Sequence, residues 1–218
     1  GNLTIMNCRF LANKAIDTTG GVGGAIFNSG KMAVDNCVFV GNAAIGISRY
    51  GIGGAICSTC PLAVTNSTLS GNSATEHGGG ISGASGTALY NTIVAGNAAG
   101  NGAPDFSSVS TWSRPFASHS LIGDGSNLND LGEPYYNNLV GTSETPLDPR
   151  FLRNPSDGGD GWGDDPTTPG IDESANDDTG DLRLATDSPA VNGGDNTRLP
   201  SDLFDLDSDG DVAERIPF

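Results

Sequence analysis

Asn7-Cys8-Arg9-Phe10-Leu11-Ala12-Asn13, Asn36-Cys37-Val38-Phe39-Val40-Gly41-Asn42, Asn66-Ser67-Thr68-Leu69-Ser70-Gly71-Asn72 and Asn91-Thr92-Ile93-Val94-Ala95-Gly96-Asn97 are one pattern written four times, with first residues 29, 30 and 25 apart. A second pattern keeps step with it: Gly23-Gly24-Ala25-Ile26, Gly53-Gly54-Ala55-Ile56 and Gly79-Gly80-Ile81. Two landmarks sharing a period mark a structural repeat. Each period holds alternating β-formers, such as Met32-Ala33-Val34 and Cys37-Val38-Phe39-Val40, broken by Gly and Asn rather than by helical segments. Three short strands and three turns then fill one rung of a parallel β-helix, with rungs about 4.8 Å apart. The column Phe10, Phe39, Leu69, Val94 is apolar throughout and is expected to point inward. Its neighbour Arg9, Val38, Thr68, Ile93 admits an arginine and is expected to point outward. Gly-Gly pairs suit a tight corner, and the repeated Asn suits left-handed turns whose side-chain amides bond from rung to rung.

The expected class is therefore all-β: a single-stranded parallel β-helix, with little helix because Gly, Asn, Ser and Thr dominate over periodic Glu, Lys and Gln. The chain of 218 residues contains 33 Gly and carries a net charge of −16. That charge excludes a phosphate-binding face and with it nucleic acid as a partner. No apolar run approaches the roughly 20 residues of a membrane span. The abrupt ends at Gly1 and Ile216-Pro217-Phe218 read as those of a fragment, with any export signal or anchor lying outside it.

Charge divides the chain. Residues 1–100 contain three acids (Asp17, Asp35, Glu76) and four bases (Arg9, Lys14, Lys31, Arg49), whereas residues 101–218 hold the other 23 acids and 6 bases. We expect regular rungs over 1–100 and, over 101–218, a less regular continuation of the same β-helix with long acidic loops, the two parts forming one domain.

The ordered set of motifs carries a family resemblance. Gly-Gly-Ala-Ile followed by Asn-x-x-Phe-x-Gly-Asn resembles the polymorphic outer-membrane protein repeats and other right-handed parallel β-helix surface proteins of bacteria. Farther on, Pro104-Asp105-Phe106, Ser120-Leu121-Ile122-Gly123, Asn138-Leu139-Val140-Gly141, Leu147-Asp148-Pro149, Gly180-Asp181-Leu182-Arg183-Leu184 and Asp187-Ser188-Pro189-Ala190-Val191-Asn192-Gly193-Gly194 are similar, in that order, to the bacterial "choice-of-anchor" β-helix domain. The resemblance implies a right-handed, pectate-lyase-like solenoid in a secreted or cell-surface protein; it implies no activity by itself.

Metal chemistry has two candidates. Asp205-Leu206-Asp207-Ser208-Asp209-Gly210-Asp211 places carboxylates at alternate positions before a glycine, similar to the opening of an EF-hand or dockerin calcium loop. Position 12 is Ile216 rather than an acid, so Glu214 would have to close a non-standard site made by Asp205, Asp207, Asp209, Asp211 and Glu214. The stretch from Asp157 to Asp181, with Asp157, Asp160, Asp164, Asp165, Asp172, Glu173, Asp177 and Asp178 between, reads either as a solvated loop or as a second calcium loop.

Cys8 and Cys37 share an inward column, as stacked buried thiols or a cross-rung disulfide. Cys57-Ser58-Thr59-Cys60 has redox or half-zinc spacing but no second Cys/His pair follows, which favours a local disulfide or two structural cysteines. Catalytic constellations are thin. A lyase base beside bound cations has only Arg9, Lys14, Lys31 and Arg49 on the rungs to draw on, and the rungs lack paired carboxylates for glycoside hydrolysis. Asp148, Arg150 and Arg153 read as structural, and His77 as an exposed corner residue. Asn2-Leu3-Thr4 and Asn66-Ser67-Thr68 match a glycosylation sequon, relevant only in a eukaryotic secretory host. The expectation is an extracellular, non-catalytic, calcium-stabilised scaffold, adhesive or polysaccharide-binding module with a polysaccharide, cell-surface or matrix partner. Its alternatives are a polysaccharide lyase or hydrolase, and a fibre subunit associating end to end through uncapped strand edges.

Overall fold

In the computed structural model, which describes residues 2–48, 50–84, 86–108, 115–126, 128, 136–163 and 172–199, each repeat folds into one turn of a parallel β-solenoid. The first turn comprises β1 (Asn2–Met6), β2 (Arg9–Leu11), β3 (Lys14–Asp17) and β4 (Ile26–Asn28). The second comprises β5 (Lys31–Asp35), β6 (Val38–Val40), β7 (Ala43–Gly46) and β8 (Ile56–Ser58). The third comprises β9 (Leu62–Thr65), β10 (Thr68–Ser70), β11 (Ser73–Ala74) and β12 (Ile81–Gly83). The fourth comprises β13 (Thr87–Tyr90), β14 (Ile93–Val94), β15 (Ala98–Ala99) and β16 (Phe106–Ser108). Then β17 (Phe116–Ser118), β18 (Leu121–Ile122) and β19 (Leu139–Val140) extend two of the faces.

The stacked faces run β1-β5-β9-β13-β17, β2-β6-β10-β14-β18-β19, β3-β7-β11-β15 and β4-β8-β12-β16, here named first to fourth, and all their pairings are parallel. Each turn thus contains four strands where three were expected. The apolar residues after each Gly-Gly pair, Ile26, Ile56 and Ile81, open a strand of their own instead of completing a corner.

Register follows the repeat. Phe10 pairs with Phe39, Phe39 with Leu69, Leu69 with Val94, and the column continues through Ile122 and Val140. Phe39, Leu69, Val94 and Ile122 are fully buried, and the Phe10 and Phe39 rings stack at 4.6 Å. Each such side chain contributes roughly 1.5–3 kcal/mol of transfer free energy. Arg9 in the neighbouring column is exposed, and Val38, Thr68 and Ile93 are half-buried, as the outward assignment requires. Corners follow backbone chemistry. Asn7, Asn36, Asn66 and Asn91 have φ between 48° and 54°, the left-handed region that Asn tolerates best after Gly. His119 (φ 51°) and Asn137 (φ 52°) continue this column on the next two turns.

Beyond Asp148 the chain changes topology. β20 (Phe151–Arg153) and β21 (Asp181–Leu184) form an antiparallel pair apart from the four stacks. Short 3₁₀ turns lie at Glu173–Asn176 and Asn196–Arg198. This segment lies back across the solenoid. Asp195 N–H donates to Asn91 Oδ1 at 2.8 Å while Asn91 Nδ2 donates to the Asp195 carbonyl at 3.0 Å, and the Arg198 guanidinium sits 4.1 Å over the Tyr90 ring. Leu121, which continues the outward column of Arg9, is accordingly 2% exposed. No helix among the described residues is long and apolar enough to cross a membrane.

Candidate functional site

Side chains on the third face alternate. Ala15, Ala44, Ala74 and Ala99 occupy one side, while Lys14, Ala43, Ser73 and Ala98 form a paired row on the other, with Ile16 beside Ile45. Small inward residues draw this sheet close to the core. Its outer side is a shallow apolar floor on which Ile16 remains 43% exposed and Ile47 67%.

A wall stands over this floor. The chain leaving β20 crosses it through Pro155, Ser156, Asp157, Asp160, Gly161 and Trp162, closing a cleft of ≈ 560 Å³. Trp162 anchors the wall and is 7% exposed. Its indole occupies the position that a Cβ on Gly41 would take, and a Cβ on Gly71 would lie 3.4 Å from it. Two further bonds tie the wall down: Lys14 Nζ donates to the Gly163 carbonyl at 3.2 Å, and Gly163 N–H donates to Asp177 Oδ2 at 2.7 Å.

Acids of the 157–181 stretch hold this excursion together. Arg153 Nε donates to Asp178 Oδ2 at 2.6 Å and Arg153 Nη2 to Asp178 Oδ1 at 3.1 Å, so the carboxyl of Asp178 titrates below its ordinary range. Arg183 grips Asp181 in the same way, holding its pKa down at about 2. Asp172 accepts from Ser174 Oγ, and Asp160 Oδ2 from Asn176 Nδ2 at 3.1 Å. Asp164 and Asp165 lie outside the described residues. So do Asp205, Asp207, Asp209, Asp211 and Glu214, the expected calcium loop. Among the described residues no three His, Cys, Asp or Glu side chains gather to hold a metal ion. Arg150 pairs with Asp187, and its backbone N–H donates to Asp148 Oδ1 at 2.8 Å, consistent with the structural reading of Leu147-Asp148-Pro149.

The cysteines are free thiols. Cys37 Sγ accepts from the Cys8 N–H at 3.4 Å, and Ser67 Oγ accepts from the Cys37 N–H at 3.1 Å. Cys8 and Cys37 thus fill a column in which Ser67, Thr92 and Ser120 follow, a polar bridge between turns. Burial pushes the Cys57 thiol up to about 11, which removes it from thiolate chemistry near neutral pH. His77 is half exposed, 3.8 Å from Glu76.

Asparagine amides bond from rung to rung, as the repeats led us to expect, but the end of the ladder was not foreseen. Asn42 Oδ1 accepts from Asn13 Nδ2 at 2.8 Å, Asn72 Oδ1 from Asn42 Nδ2 at 2.8 Å, and Asn97 Oδ1 from Asn72 Nδ2 at 2.8 Å. The ladder ends on a carboxylate, Asp105, which sits only eight residues beyond Asn97 and, one residue before Phe106, stands in the column of Ala25, Ala55 and Gly80. Burial raises its pKa to about 6, against the opposing hydrogen bonds from Asn97 and the Asp124 N–H. The sequence signal is an acid after Pro104 in a column that the earlier repeats fill with alanine and glycine.

The sequence matches no protein-family model, no curated protein and no solved structure.

Proposed function

We propose that this solenoid is an extracellular, non-catalytic polysaccharide-binding module, its location following from its resemblance to right-handed bacterial surface β-helices. The observation that carries this reading is the cleft between the third face and the Trp162 wall. Its flat apolar floor suits sugar ring faces, and its open top leaves hydroxyls in water. Ligand sites are concave, largely apolar and furnished with few polar groups, and this cleft meets that description.

Co-sedimentation with insoluble cellulose, chitin, xylan and pectin tests the proposal, with Ile45→Asp as the floor variant and polymer length followed in parallel. Retention of the parent chain, release of the variant and unchanged polymer length are the expected results. Retention by none of the four, or shortening of any polymer, overturns it. Shortening would favour the lyase or hydrolase alternative.

Calcium enters as a separate proposal through Asp205, Asp207, Asp209, Asp211 and Glu214. Binding to the folded state alone raises the unfolding temperature with ligand concentration. A chelated sample restored with calcium chloride should regain a higher Tm, and an unchanged Tm removes calcium from the account.

A second reading, self-association, is favoured by the first turn. Among the described residues, Leu3 aligns with buried Met32 yet is 55% exposed, and β1, β2, β3 and β4 each pair on one edge only. Sedimentation-equilibrium mass should then rise with concentration, whereas a constant monomer mass refutes this reading.

A further inference from the structure

Resting on the polysaccharide-binding reading, we propose that the cleft selects chains bearing amino groups and rejects polyuronates. Its wall presents Asp157 and Asp160. Asp157 Oδ1 accepts from the Gly159 N–H at 3.0 Å, and Asp160 Oδ2 from Asn176 Nδ2 at 3.1 Å. Among the described residues, neither carboxylate engages a cation, and each keeps its second oxygen for a ligand. Among the described residues, the one base lining the cleft, Lys14, donates to the Gly163 carbonyl at 3.2 Å. The net charge of −16 gives the molecule as a whole a field that concentrates cations and depletes anions.

A polyuronate carries a carboxylate on every sugar and meets two like charges at the wall against the single Lys14 ammonium, so the net repulsion disfavours it. A glucosamine polymer brings an ammonium to the same wall and lays its ring faces over Ile16, Ile45 and Ile47. A basic peptide fits the charge but not the floor. Strands of the third face spend their backbone groups on each other, so a peptide laid on its outer side loses the main-chain partners that peptide recognition uses.

The test is calorimetric titration of the full chain with three hexasaccharides: fully deacetylated glucosamine, its N-acetylated neutral counterpart, and galacturonate. Titrations are run under conditions that protonate the amines, at low and high salt. The amine form should bind roughly tenfold tighter than the neutral form, the scale of two partly screened ion pairs. The uronate should not bind, and added salt should narrow the gap. The double variant Asp157→Asn, Asp160→Asn keeps an oxygen acceptor at each position. It should bring the amine form down to the affinity that the same variant shows for the neutral form. Binding of the neutral form without preference for the amine, or a preference that survives the double variant, overturns the charge selection alone. Failure of all three sugars, including the case in which a lysine-rich peptide binds instead, overturns the polysaccharide reading and this inference with it.

Discussion

The Asp105 carboxylate closes the side-chain ladder of Asn97: its Oδ1 accepts from both the Asn97 backbone N–H, at 3.0 Å, and the Asn97 Nδ2, at 2.8 Å. Each asparagine below repeats this two-bond grip on the turn before it. Asn72 Oδ1, for example, takes the Asn42 N–H at 3.0 Å and the Asn42 Nδ2 at 2.8 Å. An amide can both give and receive, so the ladder propagates; a carboxylate only receives, so it ends there. The second oxygen takes the Asp124 N–H at 2.7 Å, and the terminator thereby ties the regular turns to the irregular ones.

That terminator makes stability depend on pH. The folded-state pKa of Asp105 is raised by burial from 3.8 to about 6, so between these values the folded chain binds more protons than the unfolded one. The contribution is fully present below about pH 4 and is lost as pH rises through 6. Its size is on the order of 3 kcal/mol, from roughly two pK units at 1.36 kcal/mol each. Urea denaturation at pH 4, 5, 6 and 7 measures it as the difference between the parent chain and Asp105→Asn, which cannot titrate. The difference curve should slope downward with pH for the parent. A flat difference curve would show that Asp105 titrates alike in both states.

Position along the ladder should set the cost of breaking it. Asn72→Ala removes the acceptor of two Asn42 donors and the donor to the buried Phe39 carbonyl, leaving several interior polar groups unpaired. The expected loss is about 3–5 kcal/mol, since each unpaired buried group costs about 1–3. Asn13→Ala, at the end of the ladder, removes one side-chain donor and leaves Asn42 Oδ1 its bond from the backbone N–H of residue 13; its expected loss is about 1 kcal/mol. Equal losses from guanidinium melts of the two variants would refute a directional ladder.

The columns were legible because each is sampled several times. Phe10, Phe39, Leu69 and Val94 announce a core, and Asn7, Asn36, Asn66 and Asn91 announce left-handed corners, through repetition that no single position provides. The same reading found three strands per turn instead of four, because Ala25-Ile26 after Gly24 looks like a corner when only the glycines are weighed. The cleft was not legible. Its wall is built once, from bonds such as Arg153 to Asp178, which lie 25 residues apart with no periodic mark. Likewise the glycine at Gly41 serves two purposes, of which only the turn is written in local sequence; the space it leaves for Trp162 depends on a segment more than a hundred residues away.

Gly41→Ala should therefore dislodge the wall without unfolding the solenoid. Gly41 has φ 69°, where an added Cβ costs roughly 1–2 kcal/mol of backbone strain, and that Cβ would coincide with the Trp162 indole. In a Trp112→Phe background, Trp162 is the sole indole. The variant should show red-shifted emission and faster acrylamide quenching, with the far-ultraviolet β-signal retained. Unchanged emission would mean that Trp162 does not rest on Gly41 in solution.

The same corner supplies the opposite experiment on the first turn. Gly41, Gly71 and Gly96 adopt φ of 69°, 69° and 71° just before the ladder asparagines, and the corresponding residue before Asn13 is Ala12, at φ 52°. An alanine held in the left-handed region carries roughly 1–2 kcal/mol of strain that glycine does not. Glycine's extra freedom in the unfolded chain offsets part of this gain, by about 0.4–1 kcal/mol. Ala12→Gly should thus be neutral to stabilising, by up to about 1 kcal/mol, a direction opposite to that of most glycine substitutions in β-structure. A thermal melt of this variant beside Ala44→Gly, placed on the inward row of β7 in ordinary strand conformation, makes the comparison internal. Ala44→Gly should lose stability while Ala12→Gly holds or gains; a loss at both sites would show that the first corner is not wound like the three that follow it.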